Sequence, residues 1–229
     1  MIDKDASKVL SDMSAYLTEL SGFSVDFDAS TDVITQNGQK LKLAKSGSIA
    51  VNRPGQFRVS NHGALADLEF FLDNGQLTLF GTRVNGYVQL PATTTDDGVA
   101  VVRDTIGFDV PGADLLTNTP MDAKDSDVLS GVHVGMTTLG GDPVHHLAFR
   151  GLDVDWQLWV KDGDAPLPVH YVITSKLLAG APEYSILLSN WNTEPMFDAA
   201  TFAFSPPDGA TKLTTVAIDA AGNISDTSE

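Results

Sequence analysis

Period-two hydrophobic alternation, interrupted by tight-turn dipeptides, restricts this chain more than any other feature. Phe23, Val25 and Phe27 alternate with Ser24, Asp26 and Asp28. Trp156, Leu158 and Val160 alternate with Asp155, Gln157, Trp159 and Lys161, and Tyr184, Ile186 and Leu188 repeat the pattern with Leu187 breaking its polar side. Spacing of this kind places apolar side chains on one strand face and polar ones on the other, as in an antiparallel sheet wet on one side. Asn37-Gly38, Asn74-Gly75, Asn85-Gly86, Gly140-Gly141 and Asp162-Gly163 each separate two apolar runs. Tight hairpins need φ > 0 at such points. The pattern predicts about eleven strands, roughly six before residue 91 and five after 127.

Two helices interrupt the strands. Over Asp5–Leu20, Val9, Met13, Leu17 and Leu20 recur at spacings of three and four, and Ser21-Gly22 supplies a stop. A second helix is expected from Thr95 to Ile106, with Thr95 as cap, Asp96 and Asp97 at the positive end of the dipole, and Gly107 ending it. Pro111-Gly112-Ala113-Asp114-Leu115-Leu116 starts another short turn, since proline fits a first helical position. Residues 94–125 thus form a helical insertion. Residues 213–229, rich in Ala, Asp, Ser, Thr and Gly, read as a flexible tail. Residues 1–212 read as one domain.

A sheet of more than about ten antiparallel strands curls or splits, and its apolar face must be covered. The economical architecture is α+β but mainly β. A single strongly curved antiparallel sheet of about eleven strands forms a half-barrel, and helices cover its concave apolar face. Two or three short helices do not fill such a face, and the remainder is an apolar cavity.

Charge narrows the partners. Among 229 residues there are 30 acidic and 14 basic side chains, for a formal net charge of −16. Such a surface repels phosphates, so nucleic acid is excluded and membrane contact is peripheral at most. No run of about 18 apolar residues exists to span a bilayer. With Cys 0, disulfides, thiolate metal sites and a cysteine lipid anchor are excluded, and a freely diffusing monomer is expected. The start, Met1-Ile2-Asp3-Lys4-Asp5, lacks the apolar core of a signal peptide, which leaves the compartment open.

No catalytic motif is found: there is no Gly-x-Ser-x-Gly elbow, phosphate-binding glycine loop or His-Glu-x-x-His. His145 and His146 are adjacent on a strand and face opposite ways, so they do not share an ion, although either could meet His133 or His170 across strands. The carboxylate pairs Asp26/Asp28, Asp67/Glu69 and Asp153/Asp155 belong to a wet face, and Asp162-Gly163-Asp164 reads as a turn rather than a calcium loop. No catalytic residue, metal ligand or cofactor is expected, and the chain reads as a non-enzyme.

Four segments resemble the LolA-like lipoprotein-carrier superfamily. Trp156-Gln157-Leu158-Trp159-Val160-Lys161-Asp162-Gly163 followed by Ala165-Pro166-Leu167-Pro168 is similar to its strand-turn-strand, and Phe202-Ala203-Phe204-Ser205-Pro206-Pro207-Asp208-Gly209-Ala210 to its closing segment. The opening helix with Gly22-Phe23-Ser24-Val25-Asp26-Phe27, and Arg53-Pro54-Gly55-Gln56-Phe57-Arg58-Val59, complete the order. Ala148-Phe149-Arg150-Gly151-Leu152-Asp153-Val154-Asp155-Trp156-Gln157 and Tyr171-Val172-Ile173-Thr174 carry a closer resemblance, to a family of predicted periplasmic proteins within it.

The resemblance implies a periplasmic carrier, its leader absent from this chain, holding lipid or lipoprotein acyl chains in the half-barrel. The implied lining is Val25 and Phe27, Phe57 and Val59, Phe70 and Leu72, and Leu77 and Leu79 from the front strands. Leu147 and Phe149, Trp156 and Leu158, Tyr171 and Ile173, and Ile186 and Leu188 complete it from the later ones, with Val102, Ile106 and Phe108 as lid. The carriers keep an arginine beneath the lid, for which Arg58 and Arg103 are the candidates. The alternative is an envelope sensor that binds peptide or protein through Trp159 and Trp191, expected on the faces opposite the lining.

Overall fold

The computed structural model describes residues 1–64, 66–106, 112–117, 128–214, 216–218 and 224–226. Helix α1 (Lys4–Glu19) leads into β1 (Gly22–Ile34), β2 (Lys40–Asn52), β3 (Gln56–Gly63), β4 (Asp67–Asp73), β5 (Gln76–Gly81) and β6 (Gly86–Pro91). The insertion holds α2 (Thr95–Val101), a π-helical turn (Val102–Ile106) and α3 (Ala113–Leu116). There follow β7 (Val128–Leu139), β8 (Asp142–Gly151), β9 (Val154–Lys161), β10 (Pro168–Ser175) and β11 (Glu183–Asn192). The six strands before the insertion and five after it match the alternation. A short β12 (Thr211–Lys212) and a separate hairpin, β13 (Val216–Ile218) with β14 (Ile224–Asp226), come after them.

Turn chemistry sets the pairing. Asn74 and Gly75 have φ of 50° and 75°, closing β4 onto β5 with Asp73 opposite Gln76. Gly140 and Gly141, at 63° and 95°, close β7 onto β8 with Leu139 opposite Asp142. Both are the mirror-image turns whose twist suits a hairpin. The sheet has twelve strands in the order β12-β6-β5-β4-β3-β2-β1-β11-β10-β9-β8-β7. The chain is mainly β, and the sheet is mostly antiparallel, with β12 parallel to β6.

The chain divides into two compact units, to both of which β1 and β2 contribute. The first holds Met1–Leu20, Asp28–Leu43 and Thr119–Ser189. In it α1 buries Ala6, Leu10, Met13 and Leu17. The expected stripe through Val9 and Leu20 is thereby corrected: Asp3 caps the helix by accepting from the Asp5 N–H, and Leu20 has already turned extended (φ −68°, ψ 119°). A residue outside the helix cannot share its face.

Asp32, only 6% exposed, ties this unit's strands together. Lys42 lies 3.0 Å and Lys40 3.3 Å from its carboxylate, and the Glu183 N–H donates to it at 3.1 Å. The hydrogen bond from Lys42 outweighs the opposing effect of burial and holds the carboxyl below its ordinary value. A carboxylate with a depressed pKa adds stability that is complete above the unfolded value of about 3.9 and is lost as pH falls through the folded one. Asp32→Asn should therefore remove about 1.5–3 kcal/mol at pH 7, the range for hydrogen bonds to charged groups. It should also flatten the acid limb of stability measured by urea unfolding between pH 7 and 3. An acid limb as steep as that of the unsubstituted protein would count against this role.

The second unit holds Ser21–Phe27, Ala44–Asn118 and Asn190–Glu229. Its α2 is capped by Thr94, not Thr95: Thr94 Oγ1 accepts from the Asp97 N–H at 3.1 Å, and Asp97 accepts from the Thr94 N–H at 3.0 Å. This reciprocal box moves the start back one residue and turns Thr95 into the interior. From Val102 the expected α-helix runs on as a π-helical turn. On the other side of this unit's strands the Phe-x-Phe segment finds its reason. Phe204 sits 5.1–5.6 Å from the rings of Phe71, Phe80 and Tyr87, and Phe202 meets Phe197 edge-on at 4.9 Å.

Candidate functional site

Strand register assembles the inward face of the second unit in rows. Val51 opposes Phe57, Phe57 opposes Leu72, Leu72 opposes Leu77, and Leu77 opposes Leu90. The next row runs Ile49, Val59, Phe70, Leu79 and Val88. Phe57, Val59, Phe70, Leu72, Leu77 and Leu79 are all buried, as are Val25 and Phe27 on β1. Helix α2 covers this face through a glycine: a Cβ on Gly98 would lie 2.7 Å from Phe57 Cε1 and 3.4 Å from Leu72 Cδ2. Val102 and Ile106, expected in the lid, are buried in the π-helical turn. Phe108 lies outside the described residues.

The arginine beneath the covering helices is Arg53, which the sequence showed only as half of an Arg-Pro step. Its Nη2 donates to the Leu115 carbonyl at 3.2 Å and its Nη1 to that of Leu116 at 3.3 Å. These carbonyls end α3, where helical C=O groups lack partners and the dipole favours a cation. Burial lowers the Arg53 pKa, and the charge of Asp96 opposes that. Arg58 instead pairs with Glu69 at 2.9 Å and lies 5.0 Å from the Phe71 ring centroid, and exposed Arg103 pairs with Asp104.

In the first unit the inward rows are His133, Leu147, Leu158, Tyr171 and Ile186, then Gly131, Phe149, Trp156, Ile173 and Tyr184. Leu147, Phe149, Leu158, Ile186 and Leu188 are buried, whereas Trp156, Tyr171 and Ile173 are half-buried. Phe149 stacks on Trp156 at 3.9 Å and occupies the space a side chain on Gly131 would need. Beside α1 the same face ends in a cleft of about 420 Å³, where charged and polar side chains such as Asp5, Lys8, His133, His145 and Asp162 stand beside the apolar surface of Val9 and Pro166. His145 Nε2 is 3.1 Å from Asp162 Oδ1, and its Nδ1 is 3.1 Å from His133 Nε2. A carboxylate only accepts, so the bond to Asp162 is donated by the His145 Nε2–H. Among the described residues no group of three or more metal-ligating side chains could hold an ion.

The opposite face of this unit carries the other histidines, as their adjacency required. His146 and His170 sandwich the Trp159 indole at 4.2 and 4.6 Å, with Gln157 and Ser185 holding their Nε2 atoms at 3.0 and 2.9 Å. Desolvation, then the neighbouring His146, lowers the His170 pKa. Trp159 is half-buried within this stack rather than exposed. Trp191 is corrected too: Asn190 has φ 53°, and the indole packs 5.4 Å from Phe23. Of the carboxylate pairs, Asp26 and Asp28 are exposed. Asp67, hydrogen-bonded by Arg83, is held below the ordinary carboxylate range, the opposite of what a general acid requires.

A long, mostly antiparallel sheet with short helices is also the fold of solved structures at low identity. The crystal structure of the Mycobacterium tuberculosis lipoprotein LppX is similar at a TM-score of 0.53 and 11% identity, over 85% of this chain and 98% of that one. An uncharacterized conserved protein from Thermus thermophilus gives 0.55 and 12%, over 92% and 99%. A LolA superfamily protein from Nitrosomonas europaea gives 0.44 and 11%, over 87% and 97%. No curated protein matches the chain. Residues 6–216 match the model of the predicted periplasmic proteins DUF2092, and the chain belongs to that family.

Proposed function

We propose that the protein is a periplasmic carrier that holds lipid, lipoprotein acyl chains or another elongated apolar ligand. Residues 1–212 act as one domain, its sheet curled into a half-barrel and residues 94–125 forming the lid. The observation carrying this reading is the kind of cover the second unit has. Two rows of large apolar side chains lie beneath a seven-residue α2 seated through Gly98, and a four-residue α3 is held by two hydrogen bonds from Arg53. The cover is short and buries only a few apolar side chains of its own, Val99, Val102, Ile106, Leu115 and Leu116, and the rows beneath it offer about 25 cal/mol per Å2 to an acyl chain. Nothing in such a mechanism needs a catalytic group.

Native mass spectrometry of protein purified from cells should find a co-purifying lipid, and organic extraction should release it. The delipidated protein should then bind a fluorescent fatty acid. A protein that is empty on purification and takes up no fatty acid would overturn the reading. A second reading, an envelope sensor for peptide or protein, draws on the outer face of the first unit. There Val132, 51% exposed, pairs with Ala148, two residues along the same face of β8 from the His146 of the His146-Trp159-His170 stack. Capture of an envelope protein that Trp159→Ala abolishes, with fatty-acid uptake unchanged, would favour it.

A further inference from the structure

We propose that Asn61 is a polar anchor in the second unit, taking the hydrogen-bond donor of an amphiphilic ligand, a hydroxyl or amide N–H next to an acyl chain. The inference rests on the lipid-binding reading and specifies its ligand class. Asn61 follows Phe57 and Val59 on β3 with the two-residue spacing that keeps all three on the inward face. It is 4% exposed, and among the described residues its Oδ1 meets no donor.

The row around it differs from the other two. Across five strands it runs Gly47, Asn61, Leu68, Gly81 and Gly86, against the continuous large apolar rows through Val59 and Phe57. One amide therefore stands at the small-residue end of an apolar floor. A buried unpaired carbonyl oxygen is strongly disfavoured, and most native ones have a partner. Leucine would fill the position without that loss. A ligand donor satisfies the amide oxygen while its chain lies along the Val59 and Phe57 rows. An ester, which only accepts, leaves the oxygen unpaired. The group recognised is therefore a donor, whether it comes from an alcohol or from an amide.

The test is displacement of a bound fluorescent fatty acid by oleyl alcohol, oleamide and methyl oleate, which share one chain. The unsubstituted protein should prefer the alcohol and the amide over the ester by about tenfold, the scale of one unpaired buried acceptor. Asn61→Leu should bind all three equally while unfolding in urea at a midpoint no lower than before. Equal displacement by all three from the unsubstituted protein overturns the anchor and leaves lipid binding standing. So does a preference that survives in Asn61→Leu, or a lowered urea midpoint, which would reveal an internal partner for the amide. Should Asn61→Leu fail to fold, the unsubstituted protein's preference alone decides. Failure to bind the fluorescent fatty acid at all overturns the carrier reading and the anchor with it.

Discussion

Gly47→Ala should lower the stability of the protein by about 3 kcal/mol, read as a fall in the urea midpoint. Gly47 faces Asn61 across the β2–β3 ladder, and a Cβ there would stand 1.8 Å from the Ser60 carbonyl oxygen and 2.8 Å from Phe27 Cζ. Two remedies exist and both are expensive. Swinging Phe27 away opens a void beneath a fully buried ring, and shifting β2 breaks pairs from Lys45↔Gly63 to Asn52↔Gln56. Overpacking of a tight interior ordinarily costs about 1–3 kcal/mol. A clash with backbone rather than with a rotatable side chain belongs at the top of that range. Against a total stability of about 5–15 kcal/mol the loss is large. Gly38→Ala is the control. Its φ of 82° strains any side chain, but nothing lies within 4 Å of the added carbon, so only the left-handed conformation is penalised, by about 1 kcal/mol. Equal effects at the two positions would show that crowding by Ser60 and Phe27 does not govern Gly47.

The alternation made the strands readable because a pleat is local: Phe57 and Val59, or Leu77 and Leu79, declare their face from neighbours two residues away. Asn74-Gly75 and Gly140-Gly141 declared their hairpins for the same reason, since φ > 0 is a property of the dipeptide. Register is not local, and the contacts of Arg53, the His133–His145 pair and the setting of Asn61 depended on it. Arg53 gives no sign in sequence that it reaches carbonyls more than sixty positions later. The His133-His145-Asp162 chain needs β7, β8 and the turn after β9 brought together, and its register passes a bulge between His133 and Gly135. Asn61 reads as an ordinary polar residue until the register sets it beside the apolar rows of Val59 and Phe57. Trp191 was misplaced because a single left-handed residue, Asn190, breaks the two-residue period just before it.

Gly98→Leu should act on function more than on folding. In an exposed helix the change would gain about 1 kcal/mol of helix propensity. Here the new Cβ would lie 2.7 Å from Phe57 Cε1 and 3.1 Å from Phe57 Cζ, with Leu72 Cδ2 at 3.4 Å. Phe57 is fully buried between Val51 and Leu72, so its ring has nowhere to turn. The overpacking of about 1–3 kcal/mol offsets the propensity gain of about 1 kcal/mol and leaves a net loss of up to about 2 kcal/mol. Unlike Gly47, Gly98 is on a seven-residue helix, which relieves the clash by rising from the sheet instead of disrupting a ladder. Lifting α2 destabilises the closed state selectively, and about 1.4 kcal/mol of such bias opens the cover roughly tenfold more often. A bound fluorescent fatty acid should accordingly exchange about tenfold faster from Gly98→Leu in a stopped-flow chase, with only a modest fall in the urea midpoint. An unchanged exchange rate in a folded Gly98→Leu protein would mean that ligand does not pass beneath α2, and the insertion would cease to be a lid.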